Sequence, residues 1–176
     1  MRSRRVSGRT RAGRQRWAPP PVSEGVVPMP NFEALFAAAE GKPVVYRGRG
    51  VQLVDVLPVK KGAHLRVIFE GADSEWRQAI ILKCTAPMRV AALPVRSPAV
   101  LWHGASSRAV DVRIDGDGEL TVSNGWDSGR GVLESGRDGA AMIVDETPAR
   151  RRYRCNDGYP DDDFQDLVFR IERLLD

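Results

Sequence analysis

The chain has 176 residues, 42% of them hydrophobic, enough for one well-buried domain and too few for two comfortable ones. Its formal charge of +4 is unevenly placed: residues 2–16 hold seven arginines (Arg2, Arg4, Arg5, Arg9, Arg11, Arg14, Arg16) and no acid, so the other 20 basic residues face 23 acids, a balance of about −3. No apolar run approaches the roughly 18–20 residues of a membrane helix, Met1–Trp17 lacks the apolar core of a secretory signal, and Cys84 and Cys155 with His64 and His103 fit no zinc-ligand spacing.

These exclusions predict no membrane association, a cytoplasmic or virion location, and cysteines that serve as small buried hydrophobes. Residues 1–30 are rich in Arg, Ser, Gly and Pro, including Pro19-Pro20-Pro21, and offer almost nothing to bury. They read as a disordered or extended arm. The arm is either an electrostatic tether, gaining salt-sensitive affinity for nucleic acid by releasing counterions, or a solvated tail. Arginine far outnumbers lysine (Lys42, Lys60, Lys61 and Lys83 only), a bias that GC-rich coding can produce, so the arginine count alone says little.

Residues 31–176 read as a single β-rich domain. Asn31 predicts an N-cap, with Glu33 in the first turn and Phe32, Leu35 and Phe36 forming the apolar stripe of a short helix that Gly41 ends. From Pro43 the period becomes two. Val44–Tyr46 and Val51–Val56 predict strands around a tight Arg47–Gly50 turn, and further strands are expected at Ala63–Glu70 and Trp76–Cys84. Pro87, Pro94 and Pro98 confine Met88–Leu93 and Ala99–Trp102 to edges or irregular pieces. His64 falls on the less buried face of its strand and reads as an ordinary surface histidine, and His103 reads as a structural hydrogen-bonder at a strand end.

Val110–Ile114 and Leu120–Val122 alternate as strands about Asp115-Gly116-Asp117-Gly118-Glu119. That segment places carboxylates at alternate positions but has Leu120 where an EF-hand loop needs glycine, so it predicts a hairpin turn. Asn124–Gly131 reads as a glycine-rich loop with Trp126 at its tip. Trp126 is either a platform for a sugar ring or partner side chain, with Asp127 beside it and Trp102 nearby, or a tryptophan folded back onto the core. Ala140–Val144 reads as a central apolar strand.

The most charged stretch lies near the C-terminus, where Asp157, Asp161, Asp162, Asp163 and Asp166 fall within ten residues. Such a cluster needs water, arginine partners, backbone N–H groups or a cation. Arg150, Arg151, Arg152 and Arg154 stand just upstream as candidate partners. After it, Phe164, Leu167, Val168, Ile171, Leu174 and Leu175 fall at helical spacing, with the aspartates at the N-terminal end as the helix dipole favours; alternatively Leu167, Phe169 and Ile171 alternate as a strand. Periodicity alone favours the helix.

The run Asp161-Asp162-Asp163-Phe164-Gln165-Asp166-Leu167-Val168-Phe169 resembles the Asp-x-Asp-Phe-x-Asp-hydrophobic-Val-Phe segment of bacterial β-sandwich domains associated with calcium and with extracellular or adhesive proteins. There the segment runs from a loop into a strand. The resemblance implies Asp161, Asp163 and Asp166 as Ca²⁺ ligands; Asp157 joins them as a candidate by its place in the same acidic loop.

The expected fold is mainly β, a single β-sandwich or jelly-roll-like domain with a short N-terminal helix and a C-terminal segment left open between helix and strand. The expected function is a non-enzymatic binding module, Ca²⁺-stabilised through Asp157, Asp161, Asp163 and Asp166, recognising a carbohydrate or protein near Trp102, Trp126 and Asp127. No activated nucleophile, His-Asp arrangement, His-Glu-x-x-His or Gly-x-Ser-x-Gly accompanies the acids, so an enzyme is not expected. The alternative is a structural or assembly protein, a virion or nucleoprotein component, whose arginine arm contacts nucleic acid.

Overall fold

Turn chemistry and alternation build most of the observed elements. The computed structural model describes residues 30–105 and 107–174; the arginine arm, with Arg2 to Arg16, lies outside the described residues, as does Leu175. Asn31 Oδ1 accepts from Ala34 N at 2.9 Å and caps α1 (Phe32–Ala38), which stops where Glu40 and Gly41 take positive φ. Arg47 and Gly48, at φ of 48° and 75°, form a two-residue turn joining β1 (Val44–Tyr46) to β2 (Arg49–Val51).

The chain continues through β3 (Asp55–Val59), β4 (His64–Gly71), β5 (Arg77–Cys84), β6 (Met88–Val90), β7 (Leu93–Val95) and β8 (Ala99–Trp102). It ends with β9 (Ala109–Ile114), β10 (Gly118–Asp127), β11 (Ala141–Glu146), β12 (Arg150–Asn156) and β13 (Leu167–Leu174). Beside the β1-β2 hairpin, these strands make a four-stranded sheet ordered β3-β10-β5-β8 and a seven-stranded sheet ordered β11-β12-β13-β4-β9-β6-β7, every pair antiparallel. The fold is mainly β and sandwich-like. Leu57, Ile80, Leu82, Leu120 and Val122 of the smaller sheet share one core with Val67, Val112, Tyr153, Phe169 and Ile171 of the larger. Each such side chain contributes about 1.5–3 kcal/mol on burial. Tyr153 and Phe169 stack at 4.5 Å in its middle. Cys84 and Cys155 are both buried and free.

A second, smaller core lies against β11. Phe32, Phe36, Val51, Ala141, Ile143 and Phe164 pack together, with Phe32 edge-to-face on Tyr46 and Phe164. Met142 meanwhile belongs to the main core. Burial on both faces explains why Ala140–Val144 is apolar without alternation. The strand is not central, however. β11 is outermost in its sheet, and its free edge is met by Gln52, whose N–H and C=O bond Met142 at 2.9 and 2.8 Å.

Three further expectations are corrected. The C-terminal segment is a strand: β13 lies between β12 and β4, so both its edges are hydrogen-bonded, and Leu167, Phe169 and Ile171 turn inward in strict alternation. The helical stripe fails because Phe164 is turned into the second core at φ 55°. Asp115–Glu119 is not a hairpin turn, since β9 and β10 belong to different sheets. Asp117 instead ties this crossing to the β3–β4 turn, accepting from Lys61 N at 2.9 Å and Lys60 Nζ at 3.0 Å. Finally, Asn124–Asp127 is not a loop but the end of β10.

Candidate cation site in the acidic loop

The loop between β12 and β13 is held from inside by amides. Asn156 is fully buried; its Nδ2 donates to Asp161 O at 2.7 Å, and its Oδ1 accepts from Phe164 N at 2.6 Å. Asn124, inward-facing on β10, donates to Asn156 O at 2.8 Å. With Phe164 anchored in the second core, the loop is fixed at both ends.

That frame sorts the five aspartates into three environments. Asp157, fully buried, accepts from Ser74 Oγ at 2.8 Å, Gln78 Nε2 at 2.7 Å and Tyr159 N at 2.8 Å. Asp162 accepts from Tyr46 Oη at 2.9 Å and pairs with Arg47 from the β1–β2 turn. The remaining three, Asp161, Asp163 and Asp166, each bring a carboxylate oxygen within 4.8 Å of the other two. Asp157 is therefore separated from the ligand set it was expected to join: neutral donors satisfy both its oxygens.

Among the described residues, no arginine pairs with the triad. The upstream residues expected to neutralise it face elsewhere: Arg151 pairs with Asp55 and Glu146, Arg152 with Glu70, and Arg154 with Asp145. Successive residues of β12 project to opposite faces of the sheet, away from the loop at its end. The consequence is electrostatic. Burial pushes the Asp166 carboxyl up to about 7, and Asp157, Asp161 and Asp163 add to the rise, against a lowering hydrogen bond from Asp157 N at 2.7 Å. Burial, then the neighbouring Asp163, also raises Asp161, whose Oδ1 is buried without a hydrogen-bond partner among the described residues. Ca²⁺ binds oxygens at 2.3–2.6 Å, so two of its ligands stand no more than about 5 Å apart. The triad meets that limit, and its acceptor-only chemistry suits a hard cation.

The aromatic residues singled out from sequence are elsewhere. Trp126 is 1% exposed, its Nε1 donates to Glu134 at 3.0 Å, and it offers no platform. Asp127 is also buried, and its Oδ1 accepts from the backbone N–H groups of Gly129, Arg130 and Gly131, which makes it the organiser of the following turn. Trp102 is half-buried beneath Arg77, whose guanidinium carbon lies 4.5 Å from the ring centre. The aromatics that do border the loop are Trp76 and Tyr159. With Asp161 and Asp166 they line a cavity of about 370 Å³. Sequence reasoning passed over them, and over Asn124, Asn156 and Gln78. The available signal was the pair of polar amides at inward positions of otherwise apolar strands.

No protein-family model, curated protein or solved structure matches this chain.

Proposed function

We propose that this sandwich-like domain is a non-enzymatic binding module whose acidic loop holds Ca²⁺ through Asp161, Asp163 and Asp166, and that it recognises a protein or carbohydrate beside that loop. One observation carries the reading: three carboxylates converge within 4.8 Å with no cationic side chain paired to them among the described residues, while three nearby arginines, Arg151, Arg152 and Arg154, are committed to other acids. The ion supplies the missing charge and fixes Asp161, whose buried oxygen otherwise lacks a partner among the described residues. Backbone carbonyls or water complete its coordination. Because the loop joins β12 to β13 and leans on β5 through Gln78 and Asp157, an ion here stiffens the joint between the two sheets.

The test is thermal unfolding of the full chain in EDTA and in millimolar Ca²⁺. At an ion concentration near 100 Kd the linkage gain is about 2.7 kcal/mol, a rise of about 5–10 °C for a domain of this size. The Asp163→Ala variant lacks the rise. Coincident curves for the parent chain in EDTA and Ca²⁺ overturn the reading. A second reading concerns the arm: seven arginines without an acid favour a salt-sensitive contact with nucleic acid, as in an assembly protein. Replacing all seven by Gln removes that salt-dependent affinity if the reading is right.

A further inference from the structure

The cavity beside the loop has a composition that neither a metal ion nor a sugar accounts for. Its walls are Trp76 and Tyr159, whose rings stand 6.4 Å apart at 79°, so two π surfaces meet nearly at a right angle. Asp161 and Asp166 line it as well, and Asp73 and Glu75 stand exposed around it. No basic residue lines it among the described residues. Arg77, next in the chain to Trp76, is engaged on Trp102. Asp166 is 5% exposed and, among the described residues, accepts one hydrogen bond through Oδ2, while Asp161 Oδ1 accepts none. The cavity thus combines two carboxylate-bearing residues with two aromatic side chains in its lining.

A hard metal ion takes oxygen ligands and has no use for an indole. A sugar stacks on one ring, but its neutral hydroxyls leave carboxylate charge uncompensated. A guanidinium group uses both features: its face lies against a ring, and its N–H fork reaches carboxylates. A volume of about 370 Å³ accommodates such a side chain with its alkyl stem. We propose that this cavity is a binding pocket for an arginine side chain presented by a peptide segment. Two sources can present that group, a segment of another protein or the arginines of residues 2–16 of this chain. The proposal stands apart from the Ca²⁺ reading, because the two aromatic walls belong to the pocket and not to the ion. Asp161 and Asp166 serve both, so ion and guanidinium compete.

The experiment titrates the ¹⁵N-labelled full chain in EDTA with Nα-acetyl-arginine methylamide and follows the indole N–H resonance of Trp76. The neutral isostere Nα-acetyl-citrulline methylamide serves as the comparison. EDTA removes the ion, so the result is independent of whether the triad binds Ca²⁺. Saturable shifts are expected with the arginine probe and not with the citrulline one. Tyr159→Ala, at a side chain 57% exposed, should raise the Kd about fivefold, the size of a lost cation–π contact. The same titration is run on the chain with all seven arm arginines replaced by Gln. Saturation in that variant alone assigns the pocket to the chain's own arm; saturation in both assigns it to a partner's arginine. Absence of saturation in both chains, equal binding of the citrulline probe, or an unchanged Kd in Tyr159→Ala overturns the proposal.

Discussion

Gln78 Nε2 lies 2.7 Å from Asp157 Oδ2, a buried hydrogen bond between residues 79 positions apart. It joins β5 of the smaller sheet to the acidic loop of the larger one. Because Asp157 also accepts from Ser74 and Tyr159, it organises both walls of the aromatic cavity while taking no part in the carboxylate triad.

Asp157→Ala removes three hydrogen bonds at a fully buried position and leaves the Gln78 amide only its longer bond to Trp76 O at 3.3 Å. The expected loss of stability is about 2–4 kcal/mol, the combined cost of three hydrogen bonds lost to one carboxylate at a buried position. Urea unfolding measures it; a loss below about 0.5 kcal/mol, the range of ordinary surface substitutions, contradicts the structural role assigned to Asp157.

Gly139 passes so close to the loop that a Cβ there would meet Tyr159 O at 2.1 Å and Asp157 O at 3.1 Å. Both are backbone atoms that cannot swing aside. Gly139→Ala is expected to cost about 1–3 kcal/mol as overpacking and to weaken the Ca²⁺ response with it. Gly50→Ala is the matched control, because nothing lies within 4 Å of its added carbon; chemical denaturation of the pair should separate them clearly.

Burial, then the charge of Asp55 and the hydrogen bond to it at 2.9 Å, push the Tyr153 phenol far above its ordinary value of 10. The folded chain therefore keeps a proton that the unfolded chain loses. Stability from this group is complete below pH 10 and falls as pH rises beyond it, by about 1.4 kcal/mol per pH unit. The Cys155 thiol, raised by burial and then by Asp166, acts in the same direction from pH 9 upward. Melting temperatures across pH 8–11 should show the decline, and Tyr153→Phe should flatten it at the expense of about 1 kcal/mol near neutrality. A slope unchanged by the substitution counts against a buried, protonated Tyr153.

Local chemistry made much of the fold legible in the sequence. The Asn31 cap, the strands near Val44–Tyr46, Ala63–Glu70 and Trp76–Cys84, and the placement of β7 and β8 on sheet edges beside Pro94 and Pro98 follow from capping, alternation and the missing proline N–H, whereas the expected Val51–Val56 strand is divided between β2 and β3 in different sheets. What periodicity misjudged was decided by distant contacts. Leu167–Leu174 carries six apolar residues compatible with a helix when Phe164 and Leu175 are counted, yet β4 and β12 flank it and supply partners for both edges. Asp115–Glu119 has ideal turn residues, but which sheet each neighbouring strand joins is set elsewhere. At the site, Asp161, Asp163 and Asp166 were legible as a group through their spacing. The separation of Asp157 and Asp162 was not, because Gln78, Ser74, Tyr46 and Arg47 reach them from at least 79 residues away.

The central claim, that Asp161, Asp163 and Asp166 together hold Ca²⁺, is tested most directly by terbium luminescence on the EDTA-treated full chain. Trp76 lines the same cavity as Asp161 and Asp166 and is placed to sensitise a lanthanide bound there. The account predicts indole-excited terbium emission that saturates at one ion per chain, is displaced by Ca²⁺, and is lost in Asp163→Ala. Emission no stronger than that of the variant, or emission that Ca²⁺ does not displace, would contradict it.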